Sequence, residues 1–375
     1  MEAQACGLYI HIPWCVRKCP YCDFNSHAVK DEINEALYLK ALIADFEEEI
    51  ALSGPREITS IFFGGGTPSI LSGNFYQQLL PKLEMIASFS DNIEITLEAN
   101  PGTADAENFK TYRQAGINRL SLGFQSMENE KLKALGRIHD VNQAYQAIDI
   151  ARAAGFENIN IDLMFALPSQ TVQQSLDDLK KATDLYPSHL SWYQLTMEPN
   201  TAFFANPPKN VPDNDLSWEI QKAGQQWLKE TGYSQYEISA YSQQDKECQH
   251  NLNYWLFGDY LGIGAGAHGK VTSTKGVVRR SKKRHPNNYS NGPYLSQEKE
   301  LSEKDLILEF MMNTLRLNQG FTEKAFNSST GLDISIIKSS LKKAQSKQLL
   351  VNNKDSYYPT ELGHRFLNDL LGMFL

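Results

Sequence analysis

Three cysteines, Cys15, Cys19 and Cys22, lie within eight residues near the start of the chain. Thiolates are soft ligands that select iron–sulfur clusters, zinc or copper. A four-iron cluster held by only three thiolates has one iron without a protein ligand, and a metal with an open position can bind a small molecule. The spacing therefore indicates a working metal centre.

Zinc and disulfide bonds are the alternatives. A zinc ion could take a fourth ligand from His11, Asp23 or His27, although structural zinc sites usually consist of paired C-x2-C knuckles. Disulfides are disfavoured because the count of five cysteines is odd and the sequence has no signal peptide, which indicates a reducing compartment.

The composition is that of a globular chain, with 375 residues of which 41% are apolar and 21% charged. No apolar segment approaches the ~20 residues that a membrane span needs, so we expect a cytoplasmic protein. A net charge of -8 gives no general attraction to nucleic acid. We interpret the basic run over residues 270–285 as a solvated loop.

Short β-branched or aromatic segments alternate with amphipathic helical segments, a pattern typical of strand-helix units that form a parallel sheet. The sequence predicts six such strands, near residues 8–12, 58–63, 93–98, 118–123, 158–164 and 189–196. Six units are fewer than the eight of a closed barrel. We therefore predict an α/β fold with a partial (β/α)6 barrel of the TIM type.

The pattern changes after the sixth strand. A proline-rich connection over 199–212 is followed by a predicted helix over 214–231 and a predicted strand over 236–241. From residue 301, Ser302 and Asp305 form a capping pair before a helix, a second helix is predicted near 334–345, and segments 349–351 and 357–359 resemble a hairpin. We predict a core domain over 1–240, a connecting segment over 241–300 and a smaller helical, winged-helix-like domain over 301–375.

Polar residues follow the predicted strands, where strand-helix folds place their chemistry. They are the cysteine loop, the glycine loop over 64–66 with Thr67, and Glu98, Gln125 and Asp162. Glycines let the main chain approach a ligand and present its N–H groups, although such a run is often only a tight turn. A second glycine-rich segment, 262–269, indicates close packing between domains or a wall of the site.

Together these motifs resemble the radical S-adenosylmethionine superfamily, in which C-x3-C-x2-C after the first strand holds a [4Fe-4S] cluster and a glycine loop follows the second strand. The resemblance implies that Cys15, Cys19 and Cys22 are the cluster ligands and that the free iron binds S-adenosylmethionine. The residues expected to contact this cofactor or line an adjoining pocket are Tyr9, Gly65, Gly66, Thr67, Glu98, Gln125, Arg137 and Asp162.

Within that superfamily the chain is similar to the group of anaerobic coproporphyrinogen III oxidases and HemW heme chaperones. The similarity lies in YIHIPWC at 9–15, GGGTP at 64–68, LEANP at 97–101, GFQS at 123–126 and NIDLMFALP at 160–168. The oxidases carry another cysteine two residues after the triplet, where this chain has Phe24, and a longer leader before the first strand. Both differences favour the chaperone branch, with the oxidase as the alternative, and no catalytic residue is assigned.

The sequence HNLNYW at 250–255 matches the H-N-x-x-Y-W motif of that branch, which implies His250 as an axial ligand of heme. The alternative is that His250 hydrogen-bonds locally while the aromatic residues pack at a domain junction. Cys248 is another conceivable ligand. The resemblance implies heme and heme-accepting respiratory proteins as partners, without nucleic acid or a transmembrane segment, and leaves peripheral membrane association and a homodimer open.

Overall fold

The computed structural model describes residues 4–274 and 276–375. Its strands are β1 (Gln4–Ile12), β2 (Trp14–Cys15), β3 (His27–Ala28), β4 (Arg56–Gly65), β5 (Phe89–Ala99), β6 (Arg119–Gln125), β7 (Asn158–Phe165), β8 (His189–Gln194), β9 (Ser234–Glu237), β10 (Ala240–Ser242), β11 (Tyr260–Ile263), β12 (His268–Ser273), β13 (Gly276–Lys282), β14 (Leu295–Glu300), β15 (Phe321–Thr322), β16 (Leu350–Asn353) and β17 (Ser356–Pro359).

The helices are α1 (Glu35–Ser53), α2 (Gly73–Ile86), α3 (Ala106–Gln114), α4 (Asn129–Ala134), α5 (Val141–Ala153), α6 (Val172–Thr183), α7 (Ala202–Ala205), α8 (Asn214–Glu230), α9 (Gln249–Trp255), α10 (Pro286–Ser290), α11 (Glu303–Thr314), α12 (Glu323–Thr330), α13 (Lys338–Ser346), α14 (Glu361–Arg365) and α15 (Leu367–Leu371). Across the described residues, none of the helices combines the length and the apolar character that a membrane crossing requires.

One sheet of twelve strands forms the core, in the order β14-β13-β12-β11-β1-β4-β5-β6-β7-β8-β10-β9. The six predicted strands are β1 and β4 to β8, and each pairs in parallel with the next one in the chain. These strands consist largely of apolar residues, which suits strands that are buried in the core and covered by helices. The prediction of an α/β core of six strand-helix units is confirmed.

A seventh parallel strand, β11, pairs with the other edge of β1 and overlaps the start of the second glycine-rich segment. Gly262 lies in this strand, and a Cβ there would be 2.0 Å from the carbonyl oxygen of His268 on the neighbouring strand. The glycine is therefore required by close strand packing. The sequence did not predict this strand, since two β-branched or aromatic residues among glycines give no strand period.

The interpretation of residues 270–285 as a solvated loop is wrong. Most of this run forms the antiparallel strands β12 and β13, which extend the large sheet. The ammonium group of Lys282 is buried and contacts Asp45 at 2.5 Å and Glu49 at 2.6 Å, both on α1. Arg280 also pairs with Glu49, at 3.0 Å. Two basic residues of the run, Arg280 and Lys282, thus meet buried counter-ions that lie more than two hundred residues earlier in the chain.

The predicted single strand over 236–241 is also wrong, because two short antiparallel strands, β9 and β10, occupy this region. Of these two strands, β10 pairs with β8, the last strand of the parallel set. The predicted helix over 214–231 is confirmed by α8. An aspartate, Asp213, caps its first turn by accepting a hydrogen bond from the Leu216 amide.

The C-terminal region has its own apolar core around Phe310, Met311 and Phe326. The predicted capping box of Ser302 and Asp305 is present at the start of α11, and the predicted hairpin is formed by β16 and β17. The smaller helical domain is thus confirmed. The domain boundaries stay a prediction, since the segment 241–300 gives strands to the large sheet and apolar side chains to the second core.

Candidate functional site

A cavity of about 310 Å³ opens at the carboxyl ends of the parallel strands. The predicted residues that line it are Cys15, Cys19, Cys22, Gly65, Gly66, Thr67, Glu98, Gln125, Arg137 and Asp162. They come together because parallel strands end at the same edge of the sheet and the loops that follow them meet there. Of the residues expected to bind S-adenosylmethionine, Tyr9 alone lies outside this lining.

The cysteine loop begins at Cys15 on β2 and is closed by the short pairing of β2 with β3. All three thiols are free, and the hydroxyl groups of Ser26 and Thr67 lie against the Cys15 thiol. Within the described ranges, no group of three or more histidine, cysteine and carboxylate side chains is arranged to hold a single metal ion. The loop nevertheless brings all three thiols to the lining of the cavity.

His11 does not supply a free ligand for a zinc ion. One ring nitrogen contacts the Tyr9 hydroxyl at 3.0 Å and the other contacts the main-chain carbonyl of Asn25 at 2.8 Å. Burial lowers the pKa of His11 to about 4, so this imidazole is neutral at physiological pH. His11 therefore connects β1 to the main chain at the end of the cysteine loop.

Three amides of the glycine loop, those of Gly65, Gly66 and Thr67, are bonded within the protein. The Gly65 amide donates to Glu98 at 3.3 Å, and the amides of Gly66 and Thr67 donate to main-chain carbonyls on the segment that leads to Cys15, both at 2.7 Å. A Cβ on either glycine would lie 2.4 Å from atoms of that same segment. The glycines thus allow close packing that fixes the start of the cysteine loop against β4.

Two carboxylates, Glu98 and Asp162, line the same cavity. Burial, followed by the charge of Asp162, raises the pKa of Glu98 to about 8, although the Gly65 amide opposes the shift. Burial also raises the pKa of Asp162, which accepts hydrogen bonds from Asn160 at 2.7 Å and Ser121 at 3.1 Å. A cationic ligand beside these carboxylates would favour their ionised forms. The cavity therefore fits a ligand that carries positive charge.

The raised pKa of Glu98 makes stability depend on pH. Between the ordinary value of 4.5 and about 8, the folded ligand-free protein keeps a proton on Glu98 that the unfolded chain releases. Raising the pH through this window therefore lowers the free energy of unfolding, by up to about 1.4 kcal/mol per pH unit for one proton. We expect Glu98→Gln to flatten this slope. Urea unfolding of both proteins at pH 5.5, 7 and 8 measures it, and equal slopes would contradict the assignment.

Arg137, one of two arginines in the cavity lining, brings positive charge close to the cysteine loop. Its guanidinium donates to the Gly123 carbonyl at 2.7 Å and contacts the Cys19 sulfur at 3.7 Å. Its Nε is buried and, among the described residues, has no hydrogen-bond partner. A buried donor without a partner carries a free-energy cost that a bound ligand can remove. Arg137 is therefore placed to neutralise thiolate charge or to receive a ligand carboxylate.

Gln125 ends β6 in an unusual conformation. Its φ of 70° lies in the left-handed region, which costs non-glycine residues free energy and recurs at functional sites. The turn aims the side chain at the cavity, where the amide oxygen accepts from the Tyr193 hydroxyl at 2.9 Å. Tyr193 itself lies near the carboxyl end of β8.

His250 is fully buried and is not part of the cavity lining. One ring nitrogen contacts the Ser60 hydroxyl at 2.8 Å and the other contacts the Tyr254 hydroxyl at 2.8 Å. Cys248 is equally buried, and burial raises the pKa of its thiol to about 12. The assignment of His250 to heme stays a prediction, and its two satisfied nitrogens argue against it.

Several lining residues were not predicted, among them Tyr21, Ser121, Ser191 and Tyr193. The strand register explains two of them, because Ser121 lies opposite Glu98 and Ser191 lies opposite Asp162. Neighbours in register share a face of a sheet. Assuming that consecutive strands pair in order would have identified both serines.

Two family models match the sequence. Residues 9–182 match the radical SAM superfamily, and residues 301–366 match the HemN C-terminal domain. The chain is 49% identical over 374 residues to a protein of Haemophilus influenzae named heme chaperone HemW, with 98% of this chain and 97% of that protein covered. It is 48% identical to the heme chaperone HemW of Escherichia coli, with 98% of each chain covered.

Among solved structures, the chain is similar to the coproporphyrinogen III oxidase HemN of Escherichia coli, a radical SAM enzyme. The TM-score is 0.83, and the match covers 100% of this chain and 90% of that one. At 21% identity this similarity shows a shared fold only.

Proposed function

The chain belongs to the HemW family of heme chaperones within the radical S-adenosylmethionine superfamily, and we propose that it binds heme and transfers it to heme-accepting respiratory proteins. The observation that carries this function is the 49% identity to a HemW protein along nearly the whole length of both chains. The cofactors of the family are a [4Fe-4S] cluster and S-adenosylmethionine. We further propose that both occupy the strand-end cavity.

Cys15, Cys19 and Cys22 would hold the cluster, since they are the free thiols that line the cavity. When bound, such a cluster supplies one-electron reducing chemistry beside a sulfonium ligand. The packing of the glycine loop against the cysteine segment fixes where the first thiol lies. Arg137, next to Cys19, offsets the negative charge that three thiolates bring.

S-adenosylmethionine carries a sulfonium, an ammonium and a carboxylate. The cavity offers carboxylates for its positive charges and an arginine for its negative charge. Glu98 and Asp162 would receive the ammonium group or the ribose hydroxyls, because carboxylates accept such hydrogen bonds strongly. Arg137 would pair with the carboxylate through its unused Nε donor. Tyr9 would act indirectly, because its hydroxyl contacts His11 and the His11 ring contacts the Asn25 carbonyl at the end of the cysteine loop.

The oxidase remains the competing function, because the fold alone does not separate the two. In the experiment, the cluster is reconstituted without oxygen, and S-adenosylmethionine and coproporphyrinogen III are added while porphyrin products are measured. Heme binding is titrated separately by absorbance. We expect stable heme binding, transfer to an apo-acceptor and no porphyrinogen turnover. Turnover of the porphyrinogen without heme transfer would reject the chaperone function.

The cellular setting forms part of the same proposal. We place the protein in the cytoplasm, with respiratory hemoproteins as acceptors, and we leave a homodimer and peripheral membrane association as further hypotheses. Sedimentation with and without heme tests the first of these hypotheses, and flotation with lipid vesicles tests the second.

A further inference from the structure

We propose that heme binds at the outer edge of the cysteine loop, with His27 as an axial ligand of its iron. This inference rests on the proposed heme-binding function and gives it a location. The proposed site consists of His27, His285, Phe24, Lys18 and Arg284, which we call the loop-edge site.

The His27 side chain has the arrangement of an imidazole ready to bind a metal. The main-chain carbonyl of Arg284 is placed to accept a hydrogen bond from its ring, while Nε2 is buried and has no hydrogen-bond partner among the described residues. A hydrogen bond on one ring nitrogen fixes the tautomer and leaves the lone pair on the other, which is the usual arrangement of metal-bound histidine. Nε2 of His27 is thus the candidate ligand atom.

A second imidazole packs against the His27 ring. The ring centroids of His27 and His285 are 5.4 Å apart and the rings meet edge to face. His285 is exposed and stands at the start of α10, so its side chain can turn outward without breaking the core. Heme would then enter beside His27, with His285 displaced or bound on the opposite side of the iron.

The surroundings match the rest of a heme molecule, which is a flat apolar ring with two carboxylates. Phe24, three residues before His27, is an exposed aromatic side chain at 57%. The charges of Lys18 and Arg284 both act on His27, and the Lys18 ammonium is held at the loop by the Phe24 carbonyl at 3.0 Å. An exposed aromatic side chain beside cations suits an amphipathic dianion.

The position also suits transfer to another protein. The strand-end cavity, at about 310 Å³, is at the lower end of the size range of small-molecule pockets, so one S-adenosylmethionine leaves little room for a macrocycle. A ligand at the loop-edge site remains accessible to an acceptor. His27 lies on β3, whose pairing with β2 includes Cys15, and Phe24 also lines the cavity, so heme would lie beside the cluster at the rim of the cavity.

Titration of the full-length, cluster-loaded protein with ferric heme tests the site. We expect His27→Ala to weaken heme binding by at least about 10- to 100-fold and to change the heme absorbance band. His27→Met offers a thioether ligand and should restore binding with a different band. His268→Ala is the matched control, because His268 is exposed and near Arg284 but is not paired with His27. Cluster content is measured in every variant.

The outcomes separate the two proposals. If the unmodified chain does not bind heme, the proposed function fails. If it binds heme and His27→Ala binds equally with the same absorbance band, only the loop-edge site is rejected. Should His27→Ala lose its cluster or its fold, magnetic circular dichroism of the unmodified heme complex decides, and a spectrum without a histidine ligand overturns the inference.

Discussion

Replacing Cys19 with serine is expected to abolish the iron–sulfur cluster and leave the fold intact. A serine hydroxyl is a poor substitute for a thiolate toward iron, and two remaining thiolates cannot complete the set. Cys19 is half-buried on the loop, whereas the apolar core consists of strand and helix residues elsewhere. Iron and sulfide content and the visible absorbance of oxygen-free protein measure the loss.

Cys248→Ala serves as the control for the cysteine prediction. Cys248 is fully buried and does not line the cavity, so its replacement should keep the cluster. Stability is compared among cluster-free proteins, because bound metal would stabilise the unmodified chain by mass action. We expect Cys19→Ser to change the free energy of unfolding by less than about 1 kcal/mol. Insoluble Cys19→Ser protein would show that the loop supports the fold.

Lys282→Met is expected to lower the free energy of unfolding by about 3–5 kcal/mol, because it leaves buried carboxylates without their cation. The Lys282 ammonium contacts Asp45 and Glu49, and all three side chains are at most 2% exposed. Burial already raises the pKa of Asp45 to about 6 against the opposing effect of Lys282. Urea unfolding at pH 7 measures the loss.

The pH dependence of Lys282→Met tests the cause. Without the cation, the pKa of Asp45 should rise further, so protonation at pH 5 should relieve part of the destabilisation seen at pH 7. Asp45→Asn in the Lys282→Met background should recover stability for the same reason. Lys283→Met is the control, since Lys283 is only partly buried and contacts a main-chain carbonyl at 3.3 Å. A loss below about 1 kcal/mol for Lys282→Met would contradict a buried ion cluster.

The cysteine triplet, the six strand-helix units and the C-terminal hairpin could be predicted from the sequence. Each depends on a local pattern, namely ligand spacing, the period of apolar residues or turn-forming residues. The strand-end rule then brought Glu98, Gln125 and Asp162 to the same cavity as Cys15. These features were accessible because neighbouring residues in the chain determine them.

Only the tertiary structure decided how distant polar groups pair. Lys282 is buried beside two counter-ions that lie 237 and 233 residues earlier in the chain. One ring nitrogen of His250 likewise contacts the hydroxyl group of Ser60, 190 residues earlier. Likewise, only the fold shows that Nε2 of His27 is buried without a hydrogen-bond partner in the described part of the chain and that its ring meets that of His285. The free energy of a buried polar group depends on its partner, and a local pattern carries no information about a partner brought near by the fold.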